Sequence, residues 1–239
     1  MQLATTGISN LDRLFGGGLP REPDIVVSGS KEDLHLFSQY LLWTRLNAGD
    51  LCLYGTVSET VEGVQADLAL KGWDVSPFIE RRILRIVDFL SLAEKEPKTP
   101  EEKWEAIFSI GEEGLAPERI YQVLAKEFHG LRGIEPNRRF VAILDSVDML
   151  IGLMGMKNAL HYKEMMLNLL KDTNSLGVAL LCNEFFSGER LETIKDTASI
   201  FIELKQEQKE KKIQRMIRVT KPEDLSNDWM PFSFGILIS

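Results

Sequence analysis

The residue types best suited to chemistry sit at one junction, Ile25-Val26-Val27-Ser28-Gly29-Ser30-Lys31-Glu32-Asp33-Leu34-His35-Leu36. An apolar run that breaks at a glycine and leads into a helix-length segment is where main-chain amides at a helix N-terminus can hold phosphate. The pattern suited to that task is G-x-x-x-x-G-K-[ST]. Its amides cradle the phosphates, its lysine reaches the terminal ones and its hydroxyl meets magnesium. Counted from Gly29, the second glycine is replaced by Leu34, the lysine by His35 and the hydroxyl residue by Leu36. Two carboxylates, Glu32 and Asp33, lie in the same stretch. Like charges about 4 Å apart repel by about 1 kcal/mol in water and about 4 kcal/mol at an effective dielectric near 20. Since about 1.4 kcal/mol is a factor of ten in affinity, a triphosphate is expected to lose several decades of binding here. Gly29, Ser30, Lys31 and His35 are the vestige of a phosphate site, and Lys31 reads first as a surface lysine.

Two further carboxylates follow apolar runs. Thr56-Val57-Ser58-Glu59 offers Glu59, a residue able to activate a water if it lies within hydrogen-bond reach. Phe140-Val141-Ala142-Ile143-Leu144 ends in Asp145-Ser146. An aspartate there can take a magnesium-bound water or simply cap the next turn. Five of the eight methionines fall between residues 149 and 166. Met149, Met154 and Met156 either fill the core beside the next helix or form an adaptable surface for a protein partner.

These residues need a scaffold. Short apolar runs at Asp24–Ser28, Leu51–Gly55, Ile83–Val87, Phe140–Leu144, Val178–Cys182, Ser199–Leu204, Ile213–Thr220 and Phe232–Leu237 read as strands. Amphipathic segments lie between the first several: Leu34, Phe37, Leu41, Leu42 and Leu46 share one helical face, as do Val61, Val64 and Leu68, and Ile120, Val123, Leu124 and Phe128. Runs apolar on both faces, alternating with crossover helices, predict an α/β fold with a mostly parallel central sheet, helices on both faces and antiparallel edge strands at the C-terminus. Gln206–Lys212 reads as a charged hairpin turn. Thr99-Pro100-Glu101-Glu102 reads as a helix start within an acidic helical embellishment, residues 93–118, of one domain spanning 1–239.

The opening Thr6-Gly7-Ile8-Ser9-Asn10-Leu11-Asp12-Arg13-Leu14-Phe15-Gly16-Gly17-Gly18-Leu19-Pro20-Arg21 resembles the T-G-I-x-x-L-D-x-x-x-G-G-G-L-P-R signature of the KaiC-like, RecA-superfamily ATPases of archaea and bacteria, with Glu22 where that family usually has glycine. The likeness runs on through Leu53-Tyr54, Lys71-Gly72-Trp73-Asp74, Phe140–Ser146 and Pro231-Phe232. It implies a RecA-like P-loop NTPase fold, usually assembled as a hexamer or filament with ATP between subunits. Carried over position by position, it puts Ser58 and Glu59 where the family has two adjacent glutamates, and Asp145 at the magnesium-side aspartate. It puts Lys221-Pro222-Glu223 where the family has a K-x-R pair reaching into a neighbour, so that only Lys221 is kept. An arginine in that role is worth about 10³–10⁵ in rate.

Composition narrows the partners. Lys plus Arg number 28 and Asp plus Glu 36, a net charge of −8, which disfavours nucleic acid as a partner. The three histidines, at 35, 129 and 161, are dispersed, so no metal is expected. No apolar run is long enough to span a membrane and the first residues carry no secretory pattern. The two cysteines, Cys52 and Cys182, lie in separate apolar runs and suit a reducing compartment, so the cytoplasm is expected. The leading expectation is a pseudo-ATPase: a binding, scaffold or regulatory protein with no cofactor, joined to a protein partner or to copies of itself. One alternative is a weak NTPase using ATP and magnesium through Lys31, Glu59 and Asp145. The other is a recombinase-paralogue-like accessory protein acting with DNA.

Overall fold

Every residue of the strands at Ile25–Gly29 and Leu51–Thr56 is buried, so the sheet containing them must be covered on both faces. The computed structural model describes residues 3–22, 24–89, 117–171, 173–185, 188–209, 212–222, 225 and 227–234. In chain order its elements are β1 (Leu3–Ala4), α1 (Ser9–Leu14), β2 (Leu19–Pro20), β3 (Ile25–Gly29), α2 (Lys31–Asn47), β4 (Leu51–Thr56), α3 (Val61–Leu70), α4 (Ser76–Glu80), β5 (Leu84–Asp88), α5 (Pro117–Ile134), β6 (Phe140–Asp145), α6 (Val147–Leu170), β7 (Ser175–Cys182), α7 (Glu189–Thr197), β8 (Ile200–Lys209), β9 (Lys212–Lys221) and β10 (Met230–Phe232). The main sheet has the order β10-β9-β8-β3-β7-β6-β4-β5. From β8 to β5 neighbours are parallel, and β9 and β10 add antiparallel at the β8 edge.

Successive strand residues point to opposite faces, and this divides the core. Val27, Cys52, Tyr54, Val141 and Ile143 pack with Leu34, Phe37, Leu41, Leu42 and Leu46 of α2 and with Val64 and Leu68 of α3. Leu51, Leu53 and Phe140 pack instead with Ile120, Leu124, Phe128 and Leu131 of α5 and with Leu150, Leu153 and Tyr162 of α6. The expected helical faces of α2, α3 and α5 are the ones buried, except that Val61 and Val123 are only partly covered.

Two details depart from the sequence reading. The expected turn over 206–212 is mostly strand: β8 and β9 stay paired out to Lys209 and Lys212. The last strand is Met230–Phe232 rather than Phe232–Leu237; Phe234 leaves it to pack into the core, and 235–239 lie outside the described residues. The proposed helix start at Thr99 also lies outside them, as does most of the 93–118 segment, whose last two residues open α5. Of the methionine run, Met154 is buried, while Met149 and Met156 are half-buried against the core, because α6 turns that side toward the sheet.

The glycine-rich opening forms a clasp across the rim of the sheet. Asp12 Oδ1 accepts from the Thr6 amide and hydroxyl, each at 2.7 Å, and Oδ2 accepts from the Gly7 amide at 3.1 Å. The Asp12 carbonyl accepts from the Gly17 amide at 2.7 Å. Gly18 has φ +148°, and a Cβ there would sit 2.6 Å from the Ala4 carbonyl, so only glycine lets β2 close on β1. At the far end of α2, fully buried Asp50 accepts from Arg45 at 2.7 and 2.9 Å and from Arg21 at 2.9 Å, with Arg139 2.8 Å away. This carboxylate ties α2, the clasp and the start of β6 together.

Two outcomes are expected in urea titrations read by far-UV circular dichroism. Gly18→Ala lowers stability by about 1–3 kcal/mol through backbone strain. Asp50→Ala lowers it by about 3–5 kcal/mol by leaving buried guanidinium groups unpaired. A wild-type midpoint for either variant contradicts the role given to that residue.

Candidate functional site

The carboxyl ends of the parallel strands are where α/β sheets hold ligands, and the β3–α2 junction lies among them. Strand β3 runs through Gly29 and α2 begins at Lys31, so a single residue, Ser30, joins them. Ser30 is the N-cap. Its Oγ accepts from the Asp33 amide at 3.3 Å and donates to Asp33 Oδ2 at 3.1 Å, a side-chain N-cap. Leu34 is buried beneath the helix and Leu36 packs against the same core, the arrangement apolar side chains impose at the positions counted as glycine and hydroxyl residue. A Cβ on Gly29 would stand 3.0 Å from Leu204 Cβ, so this glycine serves the close approach of β3 to β8. Glu32 faces solvent, whereas Asp33 is fully buried, its Oδ1 accepting from Gln206 at 3.0 Å and from Arg215 at 2.7 Å.

One turn further along α2, His35 Nε2 lies 2.5 Å from Asp67 Oδ2 and its Nδ1 lies 3.7 Å from Asp145 Oδ2. Asp67 also accepts from Lys71 at 2.6 Å and from Gln39 at 2.8 Å. Burial opposes ionisation of Asp67, but the hydrogen bonds from Lys71, His35 and Gln39 outweigh it and hold the carboxyl at about 2. For His35, burial alone would favour the neutral ring. The hydrogen bonds to Asp145 and Asp67, with the nearby charge of Glu59, reverse that and raise its pKa above the ordinary value. Asp145 Oδ2 accepts from the Tyr54 hydroxyl at 2.7 Å and from Ser38 at 3.4 Å. Burial, and then the charge of Asp145, push the Tyr54 phenol well above its usual range, so it stays a donor.

Above these groups opens a cleft of about 580 Å³ lined by Ser30, Lys31, Glu32, His35, Ser58, Glu59, Asp145, Glu184 and Gln206. It gathers the sequence candidates Ser30, Lys31, His35, Glu59 and Asp145, with Gly29 just behind. Four carboxylates line it, against one lysine and one histidine. Among the described residues no group of histidine, cysteine and acidic side chains is arranged to hold a metal ion. Lys221 is elsewhere: its Nζ donates to the Asp196 carbonyl at 2.7 Å near the end of α7, at the surface. Asn183 and Glu184 form an exposed turn after β7, with Phe185 exposed beside them.

The sequence reading passed over Gln39, Tyr54, Asp67, Gln206 and Arg215. Two of these carried a local signal, since His35–Gln39 and Asp67–Lys71 are spaced i, i+4 on helices. Gln206 and Arg215 carried none: they face each other across β8 and β9 and reach Asp33 only through the fold.

The model of the KaiC ATPase family matches residues 4–236. The UPF0273 protein PH0284 of Pyrococcus horikoshii is 33% identical over 84 residues, which is 35% of this chain and 34% of that one. A UPF0273 protein of Thermotoga maritima is 31% identical over 84 residues, 35% of either chain. The aligned stretch thus spans about a third of the length of these relatives. Among solved structures, the KaiC-like protein PH0186 of Pyrococcus horikoshii superposes with a TM-score of 0.68 at 16% identity, covering 98% of this chain and 95% of that one. The flagellar accessory protein FlaH of Methanocaldococcus jannaschii gives 0.64 at 14% identity, covering 92% and 88%. At these identities the two structures speak for the fold.

The His35 pair makes stability depend on pH with a definite sign. Its folded-state pKa is raised, so the stabilisation is complete below the unfolded value of about 6.5 and is lost as pH rises through the folded one. Denaturation of wild type and His35→Gln across neutral pH is expected to show a gap that is widest at the acid end and narrows on alkalinisation. A gap that widens with pH contradicts this assignment.

Proposed function

The chain belongs to the KaiC ATPase family, and within it we propose a pseudo-ATPase: a non-catalytic binding, scaffold or regulatory protein that works through a protein partner or a second copy of itself. One observation carries this reading. The β3–α2 connection is a single capping residue, and the amide of Asp33 is already taken by Ser30 Oγ, so the backbone offers no loop to wrap a phosphate chain. ATP and magnesium fit the residues poorly on three further counts. Leu204 fills the space beside Gly29, Tyr54 and Ser38 occupy the Asp145 carboxylate, and Lys221 donates within its own chain. Four carboxylates around the cleft add repulsion toward any polyphosphate.

A second reading, a weak NTPase, draws on the fact that Lys31, Glu59 and Asp145 do line one cleft. An accessory role on DNA has less support. The exposed aromatic Phe185 follows Glu184, and base stacking in single-strand binders goes with a positive groove.

Calorimetry with Mg-ATP and Mg-ADP at sub-millimolar concentration is expected to register no saturable heat, and phosphate release by wild type and Glu59→Gln should be equal and at background. Saturable, magnesium-dependent binding would remove the pseudo-ATPase reading. A release rate that drops in Glu59→Gln would establish the weak NTPase in its place.

A further inference from the structure

The two faces of the central sheet are filled unequally. On the face toward α2, Val141, Ile143, Val178 and Leu180 are buried. On the face toward α6, Ala142, Leu144 and Ala179 stay partly accessible, although β6 and β7 are central strands. Strand register shows where the space arises. Ala142 pairs with Gly177 and Leu144 with Ala179, so alanine and glycine form most of the floor. Nearby Gly55 leaves no such gap, because a Cβ there would stand 2.8 Å from the Phe89 ring.

The roof is α6, and it is not one straight rod. Gly155, at φ +78° and ψ 158°, divides it, and a Cβ there would meet nothing outside its own helix within 4 Å. Leu150 and Ile151 come from before the break, and Ala159, Tyr162 and Met166 from after it. Between floor and roof lies a hollow of about 100 Å³. Among the described residues its lining is apolar or aromatic except for Asp24 and Lys163, and it shares no residue with the acidic cleft. An ammonium has three protons to donate, and those of Lys163 have three acceptors. These are Asp24 Oδ1 at 2.9 Å, the Thr197 carbonyl at 2.9 Å and Thr197 Oγ1 at 3.0 Å. The ion pair is thus satisfied within the protein and leaves no donor for a charged head group.

Close-packed interiors hold few voids of this size. Water is a poor occupant, since a buried water needs two to four polar partners and this lining offers it little beyond the Tyr162 hydroxyl. Apolar cavities of about 150 Å³ stay dry and take up benzene or xenon. We propose that the hollow beneath α6 is a binding site for a small uncharged apolar molecule, between xenon and benzene in size. The break at Gly155 gives the two halves of the roof room to adjust to the larger of these. The proposal stands apart from the reading of the nucleotide cleft, because the two spaces have no residue in common.

The test is thermal unfolding of the full chain in benzene-saturated buffer and in plain buffer. Wild type is expected to gain roughly 2–4 °C with benzene. Ala142→Leu, whose longer side chain occupies the floor of the hollow, should lose that gain. If Ala142→Leu does not fold, Ala179→Val fills less of the same space and is read in the same way. A xenon titration of wild type followed by methyl NMR needs no variant. The Ala142, Ala179 and Ile151 methyls should shift ahead of those of Val141 and Val178 on the opposite face. Three results would each overturn the proposal: a wild-type midpoint that does not rise in benzene, an equal rise in a filled variant, or xenon shifts spread evenly over both faces. Neither readout depends on whether a nucleotide binds.

Discussion

A helix that starts one residue after a strand has little freedom in how its first turn is satisfied. The leading amides of α2 have no partner inside the helix and must find one nearby. A long, glycine-rich connection would let the backbone curl and point those amides at a ligand. A single serine allows only the local solution, and the structure adopts it: Ser30 takes the Asp33 amide, and Asp33 folds back on Ser30. Much else around the cleft follows from this choice. Starting the helix early makes Leu34 a core residue and sets His35 on the turn that faces α3 and the end of β6, where Asp67 and Asp145 meet it. The cleft above is then lined by what remains, mainly carboxylates.

The two ends of α2 are anchored in the same way, each by a buried carboxylate. At the N-terminus buried Asp33 draws Arg215 and Gln206 out of the edge hairpin; at the C-terminus buried Asp50 draws Arg45, Arg21 and Arg139 inward. Both carboxylates are deeply buried, so desolvation offsets a large share of the attraction and neither cluster is a strong stabiliser of the fold relative to apolar packing. What such clusters impose is uniqueness. Each can be satisfied in only one mutual placement of helix, hairpin and clasp, and breaking one partner away is costly. The helix is thus pinned at both ends while its middle is held by Phe37, Leu41 and Leu42.

The parts of this molecule legible in the sequence were those written in short-range periodicity. Strands buried on both faces announced themselves as unbroken apolar runs, and the Leu34–Leu46 stripe announced α2. The cleft was legible by resemblance, since Glu59 and Asp145 follow apolar strands and the fold brings those strand ends together. What stayed hidden depended on register or on a competition between equal outcomes. The Gln206–Arg215 pair exists only because β8 and β9 stay in register out to Lys209 and Lys212, across a charged stretch that reads as a turn. The methionines of α6 suited a core or a surface, and only the packing of that helix on the sheet buries Met154 and half-covers Met149 and Met156. Lys221 kept the family's residue type while the chain turned it toward the Asp196 carbonyl, a choice made by tertiary contact that no motif records.

The family signature and the family chemistry need not travel together, and the geometry explains why. The T-G-I-x-x-L-D-x-x-x-G-G-G-L-P-R stretch does its work at the opposite rim of the sheet. Asp12 binds the Thr6 and Gly7 backbone, and Gly18 admits β1 at a distance no side chain allows. Those constraints are ones of closure. They hold whether or not the other rim carries a phosphate loop, because a sheet strand with an unclosed clasp exposes Ile8, Leu11 and Leu19 to water in either case. A chain can therefore retain the signature in full for folding reasons while the β3–α2 connection shortens to one residue. The match over residues 4–236 establishes the family, and the question of activity falls on that connection, where Ser30 caps the Asp33 amide.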